Sequence, residues 1–204
     1  MVRATSPVFT FIGRHTGNIR WKAMCQNVTP TDQDEYRALR ATIGERGTAR
    51  IFLFGGGFVA WAALTLATAA LASTPVSTLL PLLALAALFE AIYALHVGVE
   101  RIGRYIQVFH EGDSHQGWEH AAMAFGRPAG AASVDALFTM PFALAAVFNI
   151  APAFLVRPTM EEIVFVTGAH ALFLLRLLVA RATAARQRAV DLERFVQLKR
   201  GADT

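Results

Sequence analysis

Four long apolar runs dominate the pattern of the chain, and short turns and one longer polar loop separate them. The runs cover residues 51–72, 76–99, 134–156 and 163–180. A helix needs about 20 apolar residues to cross a hydrocarbon core of about 30 Å. Each run is longer than the roughly 10–14 residues typical of a buried soluble helix. The pattern therefore predicts an all-α integral membrane protein with four transmembrane helices.

The placement of basic residues predicts the orientation of these spans. Of the 19 Lys and Arg residues, only Arg157 lies in either of the two short turns. Basic residues stay on the cytoplasmic side, so we expect both termini and the polar loop 100–133 to be cytoplasmic. The many Ala and Arg residues are typical of a GC-rich bacterial genome, which makes the bacterial inner membrane the expected location.

Several spans are expected to continue into the cytoplasm as helices. Thr31–Glu35 has the residues of a helix start with acidic groups in the first turn. Helical periodicity is present in three further segments. They are the apolar stripe after span two (Val99, Ile102, Ile106 and Phe109), the short stretch 118–125 and the basic segment 181–200. Two interpretations stay open: these segments dock a partner, or they lie on the anionic inner leaflet. The pattern favours the second interpretation.

The domain organisation is simple. Residues 1–30 contain no apolar stretch of the kind found in a signal peptide and are expected to be a poorly ordered tail. Residues 31–204 are expected to form a single four-helix transmembrane domain with cytoplasmic loop 100–133 and a C-terminal helix over 181–200. The only cysteine, Cys25, excludes an internal disulfide and CxxC chemistry.

Few ionisable residues lie inside the spans, and such residues are candidates for function because hydrocarbon makes them costly. Glu90 and Arg176 lie at similar distances from the outer ends of spans two and four. Their depth predicts an ion pair, with the alternative that Arg176 reaches the interface and Glu90 is protonated. Small residues on the Glu90 face predict that Glu90 points into the bundle.

Span three carries a polar stripe. Asp135, Thr139 and Asn149 fall on one face at 100° per residue, and this face could line a path for a solute or hold helices together. Helix-to-helix hydrogen bonding is the favoured interpretation. His170 lies in the middle of span four and completes the set of intramembrane polar candidates.

A metal site is a weaker hypothesis. Four of its five candidate residues, grouped around the polar loop, are histidines: His96, Glu100, His110, His115 and His120. Only His96 and Glu100 have the i,i+4 spacing of ligands on one helix. A haem between His96 and His170 is conceivable, but their depths differ. We expect no bound cofactor.

Catalytic signatures are missing from the sequence, since it contains no phosphate loop, no GxSxG and no dinucleotide fingerprint. We therefore expect a non-catalytic accessory, scaffold or regulatory subunit. Its expected partners are the lipid bilayer and a protein or second copy, and no nucleic acid. The alternatives are a small oligomeric transporter that uses Glu90, Asp135 and Asn149, and a metal- or haem-binding membrane enzyme. The stretches 101–105 and 118–120 also look motif-like.

Overall fold

A computed structural model describes residues 30–71, 73–111, 117–125 and 134–202. The described residues contain helices and turns and no strand, so the predicted all-α class is confirmed. The expected N-terminal tail lies almost wholly outside the described residues.

Of the five α-helices in the described ranges, three are much longer than a span. Helix α1 is Pro30–Leu71, α2 is Leu79–Phe109, α3 is Trp118–Phe125, α4 is Val134–Leu155 and α5 is Met160–Ala202. A 3₁₀ turn, Pro75–Thr78, precedes α2. The predicted span 163–180 and the predicted C-terminal helix 181–200 are parts of one 43-residue helix. The predicted short helix at 118–125 is confirmed.

Among the described residues, three helices are long and apolar enough to cross a membrane, and they correspond to α1, α2 with its 3₁₀ turn, and α5. Helix α4 has 22 residues, and its apolar stretch Thr139–Leu155 is shorter. Pro141 and Pro152 lie inside α4, and the helix continues through both.

The core lies between α2, α4 and α5. Phe142 of α4 is fully buried, and its ring meets Phe89 of α2 edge to face at 5.3 Å between centroids. Phe89 also meets Phe173 of α5 at 6.2 Å. Edge-to-face aromatic contacts add to the burial of apolar area. The three helices therefore pack through interlocking aromatic side chains.

Helix α1 joins this core mainly through large side chains. The rings of Phe54 and Phe58 lie 6.1 and 5.1 Å from the ring of Phe142. No residue in the most apolar window of α1 is buried, whereas a third of the corresponding window of α2 is. Much of α1 is therefore left for lipid or another helix to cover.

The turn between α4 and α5 is defined by its caps. Arg157 has a positive φ of 52°, a left-handed conformation that ends a helix. Thr159 and Glu162 then form a reciprocal capping box. The Thr159 N–H donates to Glu162 Oε2 at 2.9 Å, and the Glu162 N–H donates to Thr159 Oγ1 at 3.3 Å. This turn fixes α4 and α5 as an antiparallel pair.

Gly57 of α1 faces the Leu88 side chain of α2 at close range. A Cβ on Gly57 would overlap the Leu88 side chain, whereas a Cβ on the adjacent Gly56 would meet nothing. We predict that Gly57→Ala lowers the free energy of unfolding by about 1 kcal/mol relative to Gly56→Ala. Thermal unfolding in detergent, followed by circular dichroism, measures the difference. Adding Gly57→Ala to a Leu88→Ala background should cost less than adding it to the wild type, and equal stability of the two single glycine variants would contradict this packing.

Candidate functional site

A buried hydrogen-bond node lies near the α4–α5 turn and is centred on Asn149. The Asn149 side chain is 0% exposed. Its amide nitrogen donates to the Thr78 carbonyl at 2.9 Å and to His170 Nε2 at 3.0 Å. We call Thr78, Asn149 and His170 the Asn149 node. It connects the 3₁₀ turn, α4 and α5.

The partners of the node determine the tautomer of His170. The Nδ1 atom lies 2.8 Å from the Val166 carbonyl, which can only accept, so Nδ1 carries a proton. The Asn149 amide nitrogen can only donate, so Nε2 offers a lone pair. The Thr78 carbonyl fixes the amide orientation, because it also requires a donor. His170 is therefore the neutral Nδ1–H tautomer, and the node satisfies both of its ring nitrogens.

Helix α1 reaches the node through Thr65. Its hydroxyl donates to the Trp61 carbonyl at 2.9 Å and lies 3.4 Å from Asn149 Oδ1. The Thr65 hydroxyl has a single proton, and the Trp61 carbonyl is the closer acceptor, so it forms the stronger hydrogen bond. The link from α1 to Asn149 is therefore weaker than the links from α5 and the 3₁₀ turn.

A second polar feature of the apolar helices is the predicted Glu90–Arg176 ion pair, which is confirmed. Arg176 Nε lies 2.8 Å from Glu90 Oε1, and Arg176 Nη2 donates to Glu90 Oε2 at 2.8 Å. This is a bidentate pair. The guanidinium also lies over the Tyr93 ring at 5.3 Å, an arrangement that attracts a cation to the ring.

The predicted orientation of Glu90 is wrong. Its side chain is 48% exposed, and that of Arg176 is 39% exposed. Phe89 and Ile92 take the inward positions on α2, and the turn of the helix carries Glu90 to the outside. The small residues beside Glu90 predicted that this face of α2 packs on another helix. Within this chain, α2 packs through the face that carries Phe89 and Ile92.

Beyond the apolar core, α2 and α5 are joined by polar contacts. Arg101 Nε lies 3.2 Å from Asp191, and Arg188 donates to Glu100 at 3.1 Å. Lys199 Nζ donates to the Val108 carbonyl at 2.9 Å. These contacts hold the two helices side by side well past the residues expected to cross the membrane.

Helices α1 and α3 join the same assembly. Arg40 of α1 pairs with Glu119 of α3 at 2.8 Å and donates to the Tyr36 hydroxyl at 3.0 Å. Burial alone would lower the pKa of Arg40, but Tyr36 and the Glu119 charge raise it overall. The Glu119 carboxylate lies against Gly103 of α2, where a Cβ would crowd it. The two motif-like stretches of the sequence therefore meet here.

We call these polar helix ends the head: residues 36–50 of α1, 97–109 of α2, α3, and 181–202 of α5. Its ion pairs are partly exposed, so each contributes little alone. As a connected set they define how the four segments pack.

Glu111 caps the start of α3. Its carboxylate accepts the N–H of Glu119 at 2.8 Å and the N–H of His120 at 3.1 Å, and it contacts His120 Nδ1 at 2.9 Å. Gly117 leaves room for this carboxylate, which a Cβ there would overlap. Burial alone would raise the pKa of Glu111, but these donors together lower it below its usual value.

The metal candidates are distributed among different contacts. His96 Nδ1 accepts from Arg50 at 3.2 Å, and its Nε2 lies 3.7 Å from Glu100. Guanidinium groups therefore surround the one pair with ligand spacing. His120 contacts Glu111, as described above. His110 lies between the rings of Tyr36 and Tyr105, with centroids 5.5 and 5.9 Å away.

Within the described ranges, no group of three or more His, Cys, Asp or Glu residues could hold a metal ion. His115 and the side chain of Asp135 lie outside the described residues. Of the predicted site residues, the structure pairs Glu90 with Arg176, Asn149 with His170, and His96 with Glu100.

Sequence reasoning missed the contact between Asn149 and His170. Counted from Pro158, Asn149 lies nine residues before and His170 twelve residues after. In an antiparallel hairpin these positions have similar depths, so this count was the available signal. The sequence gives no signal for the Thr78 carbonyl as acceptor, because any backbone carbonyl near the start of α2 could accept the Asn149 hydrogen bond.

Comparisons with family models, with curated proteins and with solved structures find no match to this chain.

We predict that Asn149→Leu destabilises the fold by about 2–3 kcal/mol, because it leaves the Thr78 carbonyl and His170 Nε2 buried without a donor. Chemical unfolding in detergent measures the loss. The double variant Asn149→Leu/His170→Leu should be less destabilised than the sum of the single variants, since it removes both polar partners. Strict additivity would show that the two side chains do not interact.

We predict that α3 loses its cap at acidic pH. The pKa of Glu111 is lower in the folded protein, so its stabilisation is complete above the ordinary value of 4.5 and is lost as pH falls through the folded value. Hydrogen exchange should show α3 amides protected at pH 7 and unprotected at the acidic end. In Glu111→Gln the protection should already be weak at pH 7. Protection in that variant equal to the wild type would contradict the capping role.

Proposed function

We propose that the chain is a four-span protein of the bacterial inner membrane, with both termini in the cytoplasm. Helix α4 supports the fourth span, because it is antiparallel to α5 and buries Phe142, Ala145 and Asn149 in the same core. Its 22 residues extend about 33 Å, which matches the hydrocarbon thickness.

We further propose that the protein performs no chemistry itself and holds a protein partner through its head. One observation carries this proposal: an exposed ridge on α5 at i,i+4 spacing, formed by Arg186, Val190, Arg194 and Leu198. Val190 is 39% exposed and Leu198 is 63% exposed. The ridge therefore offers two cations and two apolar side chains on one helix face.

The rest of α5 explains why this ridge is a stable surface. Asp191, Arg188 and Lys199 attach the other side of the helix to α2. A helix held on one side presents its free side in a fixed orientation, and this lowers the entropy lost on binding. Acidic side chains beside apolar ones complement such a ridge, so the proposed partner carries an acidic amphipathic segment.

An inner-leaflet role fits the head less well. The basic segment of α5 continues directly from the apolar part as one helix and packs on α2. Leu198 lies 18 residues beyond Ala180, or about 27 Å along the helix. Anionic headgroups reach Arg181 more readily than the outer half of the ridge.

The node also bears on the transport alternative. Asn149 is fully enclosed, and both of its amide hydrogens have acceptors. Phe142 and Phe89 fill the core on its inner side. In the described part of a single copy, these groups serve packing better than conduction, so the docking function is preferred.

The topology gives the first prediction from this proposal. Four spans place both termini on one side, whereas three spans would place them on opposite sides. In a Cys25→Ser background, an impermeant maleimide should label Thr159→Cys in intact cells and should label Ala202→Cys and Thr31→Cys only after lysis. Labelling of either terminal cysteine in intact cells would contradict the four-span arrangement.

The docking function gives the second prediction. A photo-crosslinking amino acid at Leu198 should form one discrete protein adduct in native membranes, and the same group at Thr159 should not form it. Arg186→Glu/Arg194→Glu should abolish the adduct because an acidic partner is repelled. The absence of an adduct at Leu198 in native membranes, together with solute flux by the purified protein in liposomes, would favour the transport function instead.

A further inference from the structure

The Glu90–Arg176 pair lies on an outer face of the apolar helices, although both groups are charged. The exposed positions around it are apolar: Leu83 is 67% exposed on α2, and Leu172 is 69% exposed on α5. Ionisable groups in spans usually face other helices or a water-filled cavity. A half-exposed ion pair in an apolar surface therefore indicates a face that another polar group covers.

The pair still has unused hydrogen-bonding capacity. A guanidinium has five N–H donors, and the contact with Glu90 uses those of Nε and one from Nη2. The remaining donors and the outer lone pairs of the Glu90 carboxylate point away from the shared contact. Any group that covers this face must supply both acceptors and donors.

The depth of the pair excludes most sources of such a group. Glu90 lies 15 residues after Pro75, or about 22 Å along the helix, and six residues, or about 9 Å, before His96. A phosphate headgroup would have to enter the hydrocarbon, where Glu90 would repel it. The covering group is therefore better supplied by another protein helix that carries both charges at this depth.

We propose that a second copy of this chain covers the Glu90–Arg176 face and forms a two-fold symmetric dimer. The proposal rests on the membrane placement of α2 and α5 in the proposed function. Two copies with the same topology are related by an axis along the membrane normal. A half-turn about that axis reverses the direction from Arg176 to Glu90 within the membrane plane. Glu90 of each copy then faces Arg176 of the other, and four charges alternate at one depth.

The surface beside the pair permits this approach. Ala87 and Ala94 lie one helical turn on either side of Glu90 on α2, and both are exposed. Small residues allow the backbones of membrane helices to come close. The α2 side of the Glu90–Arg176 face therefore has room for a second copy, and the charges of the pair complement those of that copy.

Disulfide trapping in liposomes tests the geometry. In a Cys25→Ser background, a mixture of Ala87→Cys and Leu172→Cys chains should form a mixed disulfide dimer on mild oxidation, because α2 of one copy faces α5 of the other. In the matched control mixture, Leu66→Cys, exposed on α1, replaces Ala87→Cys, and no mixed dimer should form. A mixed dimer with Leu66→Cys and none with Ala87→Cys would overturn the proposal.

Charge variants test the cause. Dimerisation, measured by energy transfer at varied protein-to-lipid ratios, should weaken about tenfold in the neutral variant Glu90→Gln/Arg176→Gln. The swapped variant Glu90→Arg/Arg176→Glu keeps both the internal pair and the alternation, so it should dimerise like the wild type. Circular dichroism confirms that each variant is folded before the comparison.

Three results would overturn the inference. They are a wild-type chain that is monomeric at every density, a dimer unaffected by the neutral variant, and a monomer whose pair instead binds anionic lipid. These outcomes are separate from a failure of the proposed function, because purified protein needs no partner to dimerise. If the chain does not insert into the liposomes at all, the membrane placement itself is wrong.

Discussion

Polar groups buried in an apolar bundle must satisfy one another, and the Asn149 node is where this constraint fixes the fold. Water is not available to replace a lost partner, so an unpaired amide or imidazole there is costly. One amide nitrogen of Asn149 bonds both His170 and the Thr78 carbonyl, so sliding any of the three segments along another breaks at least one of these bonds. The apolar cluster around Phe142 contains more buried residues than the node, but such contacts tolerate small shifts. The node therefore specifies the register that the apolar packing only favours.

The remaining polar residues divide into two roles by position. In the head, where solvent is close, charges pair across helices and connect α1, α2, α3 and α5 through contacts such as Arg40–Glu119 and Arg188–Glu100. Each ion pair contributes little stability alone. Together the pairs hold the helix ends beside one another where they extend from the apolar core. On the outer face of α2 and α5, the Glu90–Arg176 pair joins the two helices but stays half-exposed. Its exposure is better explained by the proposed association of two copies than by folding.

Much of the architecture could be predicted from the sequence, because apolar length and charge placement are local properties. The helix at 118–125, the extensions beyond the spans and the pairing of Glu90 with Arg176 all followed from periodicity and depth. The side of α2 that carries Glu90 could not be predicted, because small residues mark a packing face without identifying what packs there. The expected continuation of span four into the segment 181–200 is present in α5 as one unbroken helix. The contact of Gly103 with Glu119 depends on how α3 folds back, which no local pattern encodes.

The protonation state of His170 tests the central role of the node most directly. The structure requires a neutral ring with a proton on Nδ1 and a lone pair on Nε2. Nitrogen-15 NMR of histidine-labelled protein in bilayers at pH 7, with His170→Gln to assign the signal, distinguishes the two ring nitrogens. A protonated Nδ1 and an unprotonated Nε2 that shifts in Asn149→Leu is the expected result. A proton on Nε2, or a charged ring, would contradict the account, because Asn149 could not then hold α4 against α5.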